Sequence, residues 1–129
     1  MNKLSSFLIV FLPLIIISAP AANAGLIKNK EAWVQEIWCK AQQGTLEYKL
    51  KSGESVDCLT PKYAIEIDRA IEWHEAVGQS LYYAKKTGKN AGIVLVLRSK
   101  NDHKYLEILN TLVDYYKLPI TVWHISPSD

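Results

Sequence analysis

The run Gly92–Leu97, GIVLVL, constrains the fold more than any other segment because it is apolar throughout. A strand with one face in water alternates apolar and polar residues, whereas a continuous apolar run of this length is typical of a central strand buried on both faces. Such a strand has other strands beside it and helices packed against the sheet. The run therefore predicts an α/β domain.

The segments on either side of this run predict the rest of the sheet and its helices. Alternation, apolar runs and turn signals predict further strands at 45–51, 55–59, 63–68 and 120–125. Helical spacing and stop signals predict helices at about 30–43 (capped by Asn29), 69–86 and 102–117. The order is α-β-β-β-α-β-α-β. An antiparallel meander followed by βαβ units predicts a mixed β-sheet flanked by helices.

The first 24 residues have the features of a cleaved export signal. A basic start and the apolar run 4–17 are followed by small residues that end in Ala22-Asn23-Ala24. We expect cleavage between Ala24 and Gly25. The apolar run is shorter than the ~20 residues of a permanent membrane span, although an uncleaved N-terminal anchor is the alternative.

Residues 25–129 then form one domain, which we expect in the bacterial periplasm or outside the cell and without a stable membrane span. The formal charge of the whole chain is only +2, which gives no support of its own for a nucleic-acid or membrane partner. Cys39 and Cys58 both belong to this domain. An even number of cysteines in an oxidising compartment favours a disulfide, and two buried free thiols are the alternative.

Acidic residues fall where this order of elements could bring them together. Asp57 lies at the end of the second strand, Glu66 on the polar face of the third with Asp68, and Glu36 on a helix expected to pack over the sheet. Hard carboxylate oxygens hold Mg²⁺, usually as one or two carboxylates with several waters. Such a cation can polarise a phosphodiester and activate water.

The order of elements and these residues resemble the PD-(D/E)xK nuclease superfamily, which has the restriction-endonuclease-like fold. Asp57 matches the first Asp of its motif, and Glu66 matches the (D/E). Gln79 and Tyr83 match the Q-x-x-x-Y of one large branch, and Glu36 matches the acid on the first helix. Nearly all of residues 25–129 are also similar to a family of small exported bacterial proteins.

The resemblance implies a nuclease that depends on Mg²⁺ or Mn²⁺ and acts on nucleic acid. It implies metal ligands at Glu36, Asp57 and Glu66, and catalytic roles for Asp57, Glu66, Asp68, Gln79 and Tyr83. Asp68 is a departure, because the family has Lys there to stabilise charge on the phosphate. The replacements available in the sequence are Lys49, Lys51, Lys62 and Arg69. Otherwise Asp68 is a further metal ligand, or the site is inactive and the protein is a periplasmic binding module on the same scaffold.

Each of these residues also has an ordinary structural interpretation. Asp57 is compatible with a turn at a strand end. Glu66 and Asp68 are compatible with a solvated strand face, and Gln79 with the water-facing side of its helix. The acidic side chains therefore form a site only if the fold brings them into one pocket.

Overall fold

The computed structural model describes residues 32–126, so the predicted signal peptide, its cleavage site and the Asn29 helix cap lie outside the described residues. The helices are α1 (residues 32–41), α2 (Trp73–Thr87) and α3 (His103–Tyr116). The strands are β1 (Thr45–Lys49), β2 (Ser55–Leu59), β3 (Tyr63–Arg69), β4 (Asn90–Val96) and β5 (Ile120–Ile125). This succession confirms the predicted order of elements.

The strands form one five-stranded mixed sheet in the spatial order β1-β2-β3-β4-β5. The pairs β1/β2 and β2/β3 are antiparallel, whereas β3/β4 and β4/β5 are parallel. Short connections allow the antiparallel pairs, and α2 and α3 provide the crossovers that parallel pairs require. The α/β class with a mixed sheet flanked by helices is thus confirmed, and β4 is the buried strand that its apolar run predicts.

The two faces of the sheet pack against different helices. On the face that we call the α1 face, Cys39 and Trp38 of α1 pack with Cys58, Ile65, Ile67 and Val94. On the opposite face, which we call the α2 face, α2 and α3 pack on Ala91, Ile93 and Leu95. Tyr83 of α2 extends this face by packing with Val56 and Ala64.

The boundaries of some elements differ from the predicted ones for local reasons. A 3-10 turn at Ala70–Glu72 separates β3 from α2, which therefore begins at Trp73 rather than near Arg69. The strand β4 begins at Asn90, two residues before the apolar run, because Asn90 and Ala91 pair with Tyr63 and Ala64 of β3. Within β4, a Cβ on Gly92 would come within 2.9 Å of the Ile65 and Trp123 side chains, so glycine is required there.

The predicted disulfide is confirmed. Cys39 at the end of α1 is bonded to Cys58 of β2, and both side chains are buried. Gly44 lies directly against the two sulfurs, where a Cβ would collide with both. The bond therefore joins α1 to the strand that carries Asp57. Between residues 32 and 126, no helix is long and apolar enough to span a bilayer.

Candidate functional site

Asp57 and Glu66 lie next to each other on adjacent strands. The paired register of β2 and β3 ends at Cys58 and Ile65, one residue short of these two acids. Beyond that pair a side chain replaces the backbone as hydrogen-bond acceptor, because Asp57 Oδ2 accepts a hydrogen bond from the Ile67 backbone N–H at 2.8 Å. The Asp57 side chain is thereby directed at β3.

Glu66 is the most deeply buried acid of the site, with 4% of its surface exposed. Strand alternation puts Ile65 and Ile67 on the α1 face and Glu66 on the α2 face, where Oε1 has no hydrogen-bond partner. Burial, followed by the charges of Asp57 and Asp68, raises the pKa of Glu66 to about 9. A buried oxygen without a partner is uncommon in folded proteins and calls for an explanation.

Asp68 extends the acidic cluster along β3. It is half-buried, and its Oδ2 also has no hydrogen-bond partner. Burial and the charges of Asp57, Glu72 and Glu75 raise the pKa of Asp68 to about 6, although Arg69 acts in the opposite direction. The structure thus places a carboxylate, and not an ammonium group, at the position where the resembled family has Lys.

The pKa of Asp57 is likewise raised to about 6, chiefly by burial. The hydrogen bond from the Ile67 backbone lowers it, and the charge of Glu47 on β1 raises it further. Glu47 also contributes to the raised pKa of Glu66. Glu47 was not among the predicted site residues, because its position on a polar strand face with Lys49 and Lys51 gave no signal of proximity to the acids.

The predicted Gln79–Tyr83 pair is divided between two environments. Tyr83 is buried on the α2 face, and burial together with the charges of Glu66 and Glu54 raises the pKa of its phenol. Gln79 is exposed. The buried line of α2 runs through Ala76, Ser80 and Tyr83, so Gln79 lies beside that line and faces solvent.

The structure does not bring Glu36 to the acidic cluster. Glu36 accepts a hydrogen bond from Lys40 at 2.6 Å on the exposed side of α1, and this partner lowers its pKa. Its neighbour Gln35 contacts β3 instead, by donating from Nε2 to the Ile67 carbonyl at 3.1 Å. That contact is on the α1 face, whereas Glu66 is on the α2 face. The sequence placed Glu36 beside the apolar stripe, and one residue of helical phase decides which side chain reaches the sheet.

A small cleft of about 110 Å³ lies beside Asp68 at the end of β3. Arg69 lies in it and is paired with Glu72, with the Nε atom 2.9 Å from Oε2. Of the four cations predicted as substitutes for the family's Lys, Arg69 is the one whose charge acts on Asp68. The lining side chains are Gln35, Ile67, Asp68, Arg69, Glu72 and Val96.

The arrangement of the acids suits a cation with one or two protein ligands better than a cation that is fully coordinated by protein side chains. In the described part of the chain, no group of three or more His, Cys, Asp or Glu side chains has an arrangement that could hold a metal ion. Asp57 and Glu66 nevertheless offer two neighbouring carboxylates, one with an unpartnered oxygen. Mg²⁺ typically takes one or two carboxylates and keeps several waters, which suits this pair.

Comparisons with known proteins give a partial similarity. No protein-family model matches the chain, and no solved structure matches it. A putative KilA-N domain-containing protein of Acanthamoeba polyphaga mimivirus is 42% identical over 62 residues. These residues cover 45% of this chain and 17% of that viral protein, which is too small a share to assign the chain to a family.

Proposed function

We propose that this protein is an exported hydrolase of phosphodiesters in nucleic acid, dependent on Mg²⁺ or Mn²⁺. The observation that carries the proposal is Glu66, a buried carboxyl group among other acids with an oxygen that has no hydrogen-bond partner. Burying an acid in this way costs free energy unless a positive group offsets it. A divalent cation beside Asp57 and Glu66 would supply that positive charge.

Each acid has a separate task in this proposal. Asp57 and Glu66 would hold the cation, and the Ile67 N–H keeps the Asp57 carboxylate oriented toward β3. A bound Mg²⁺ supplies Lewis-acid polarisation of the phosphodiester and lowers the pKa of water. Tyr83 packs on Val56 and Ala64 on the same face, and the charge of Glu66 acts on its phenol, so Tyr83 would help to keep the surroundings of Glu66 apolar.

Arg69 is the residue that we assign to the phosphate in place of the family's Lys. Its guanidinium is partly exposed in the cleft at the end of β3. Gln35 and Ile67 line this cleft from the α1 face and Asp68 belongs to the acidic cluster, so a substrate would have to pass over the end of β3 to meet both Arg69 and the cation. A planar guanidinium can hold a phosphate with two parallel hydrogen bonds. The contact with Glu72 would then be shared with the substrate.

Export is part of the same proposal. The confirmed disulfide between Cys39 and Cys58 is compatible with an oxidising compartment. It supports the periplasmic or extracellular address that the first 24 residues predict.

A second candidate is a catalytically inactive binding module on the same scaffold. Asp68 favours it, because a carboxylate at this position repels a phosphate instead of stabilising it. On this alternative the acids would repel one another without a cation, and Mn²⁺ would leave the melting temperature unchanged.

The test uses the exported protein with single- and double-stranded DNA and RNA, in Mg²⁺, Mn²⁺ or EDTA. We expect cleavage that needs the cation and that falls in Glu66→Gln and in Asp57→Asn by at least about 100-fold, because losing even an outer-shell partner costs a metal site up to that factor. Glu107→Gln is the matched control, because Glu107 is exposed on α3. Cleavage that persists in EDTA or in Glu66→Gln would refute the proposal, and absence of both cleavage and a Mn²⁺ effect would favour the inactive module.

A further inference from the structure

Glu47 lies level with Asp57 and Glu66 across three neighbouring strands. The pairs Leu46–Cys58 and Tyr48–Val56 flank Glu47 and place it opposite Asp57. On the other side of β2, the pair Cys58–Ile65 puts Asp57 next to Glu66. Strands β1, β2 and β3 thus each contribute one acid at the same level of the sheet.

This row of acids is unfavourable in the protein alone. Like charges directly opposite each other on neighbouring strands destabilise a sheet. The charge of Glu47 acts on both of the other acids, because it raises the pKa of Asp57 and that of Glu66. In the protein alone a proton on Glu66 relieves this repulsion, and a bound divalent cation would take the place of that proton.

The backbone at Glu47 is also unusual. Its φ of +50° is in the left-handed region that favours glycine. The strand alternation of β2 is interrupted at the same level, since Val56 packs on the α2 face while Cys58 packs on the α1 face. The interruption lets Asp57 point along the sheet toward β3.

Glu66 is independent evidence that this row can accept a ligand. Only 4% of the Glu66 surface is exposed, and its Oε1 accepts no hydrogen bond. The charges of Asp57, Asp68 and Glu47 all act on this carboxyl group. A cation bound here would meet Glu47 on the solvent side, because Glu47 is exposed.

We propose that Glu47 is a further positioning residue of the cation site, supplied by the edge strand β1 and acting on the hydration shell of the bound divalent cation. The inference rests on the proposed function, and it adds a residue outside the motif positions that the family resemblance supplied. Acting through the hydration shell agrees with the lack of a three-residue cage in the described part of the chain. Mg²⁺ and similar cations keep several waters when bound to proteins, and these need acceptors.

The test measures the Mn²⁺ affinity of the whole exported protein by calorimetry and by the shift in melting temperature. We expect Glu47→Gln to raise the Kd for Mn²⁺ about tenfold, as the loss of an outer-shell partner does. Glu47→Gly should weaken Mn²⁺ binding to the same extent while raising the melting temperature in EDTA, because glycine adopts this φ freely. Glu107→Gln should bind Mn²⁺ like the wild type.

The outcomes separate this inference from the proposed function. If Glu66→Gln abolishes Mn²⁺ binding but Glu47→Gln and Glu47→Gly keep the wild-type Kd, the role of Glu47 is refuted and the site stands. If Glu47→Gly restores the wild-type Kd that Glu47→Gln had lost, the effect of Glu47→Gln is structural and the inference is wrong. If the wild-type protein binds no Mn²⁺, both proposals fail.

Discussion

The two faces of β3 are equally buried but have opposite consequences for stability. Ile65 and Ile67 point to the α1 face with 1% and 2% of their surface exposed, and Glu66 points to the α2 face with 4% exposed. The isoleucines gain free energy by leaving water. Glu66 loses its hydration and gains no hydrogen bond at Oε1. One strand therefore contributes both to the apolar core and to the acidic cluster.

Burial alone therefore does not identify a side chain that stabilises the fold. On the α1 face, apolar packing is reinforced by the disulfide and by the tilted contact of Trp38 with Trp123, whose ring centroids are 5.7 Å apart. On the α2 face, the same sheet carries unpaired carboxyl oxygens of Glu66 and Asp68. Variants on each face can separate the two contributions to the free energy of unfolding.

The largest expected effect is on the α1 face. Ile65→Ala should lower the free energy of unfolding by about 3 kcal/mol, because it leaves a cavity between α1 and the sheet. Urea denaturation measures the change. The matched control is Ile71→Ala, since Ile71 is 52% exposed, and its loss should be below about 1 kcal/mol. Similar losses in the two variants would contradict the described core.

The next effect is a pH dependence that comes from the α2 face. Burial and like charges raise the folded-state pKa of Glu66 from 4.5 to about 9, and those of Asp57 and Asp68 from 3.8 to about 6. At pH values between the unfolded-state and the folded-state pKa of each acid, the folded protein therefore binds more protons than the unfolded chain. Its free energy of unfolding in EDTA should fall as the pH rises, by about 1.4 kcal/mol per pH unit for each extra proton.

Above about pH 7, where Asp57 and Asp68 have lost most of their protons, Glu66 should account for nearly all of this decline. We expect Glu66→Gln to flatten the dependence between about pH 7 and 8.5, and Glu107→Gln to keep the wild-type slope. Denaturant titrations at several pH values in EDTA measure both. A wild-type stability that does not fall over this range would show that Glu66 ionises without penalty.

The smallest expected effect is at Glu36. Its ion pair with Lys40 is on the exposed side of α1, away from the α2 face. Glu36→Gln should leave the melting temperature within experimental error and the Mn²⁺ response unchanged, because exposed ion pairs contribute little. Loss of the Mn²⁺ response in Glu36→Gln would instead place the α1 acid in the site, as the family resemblance implied.

Much of the fold could be predicted because periodicity reports burial directly. The apolar run of β4 indicated a strand covered on both faces, and the alternation of YAIEID placed Ile65 and Glu66 on opposite sides of β3. The Cys39–Cys58 bond was predictable from cysteine number and the expected compartment. These features depend on chemistry that is local in the sequence or nearly so.

The details of the site were less accessible because they depend on backbone irregularity and on helical phase. Nothing in the sequence around Glu47 signals a positive φ, since Glu has no preference for it. Gln35 and Glu36 differ by one helical position, yet only Gln35 reaches β3. Tyr83 and Gln79 differ in burial because of the line that α2 presents to the sheet.

The disulfide has a consequence for the order in which the protein matures. Both cysteines precede β3, so the bond needs no residue beyond Cys58. It can form while the rest of the chain is still being exported. It encloses β1, with Glu47, in a covalent ring that ends one residue after Asp57. In an oxidising compartment the first two strands would therefore be fastened to α1 before Glu66 arrives beside them.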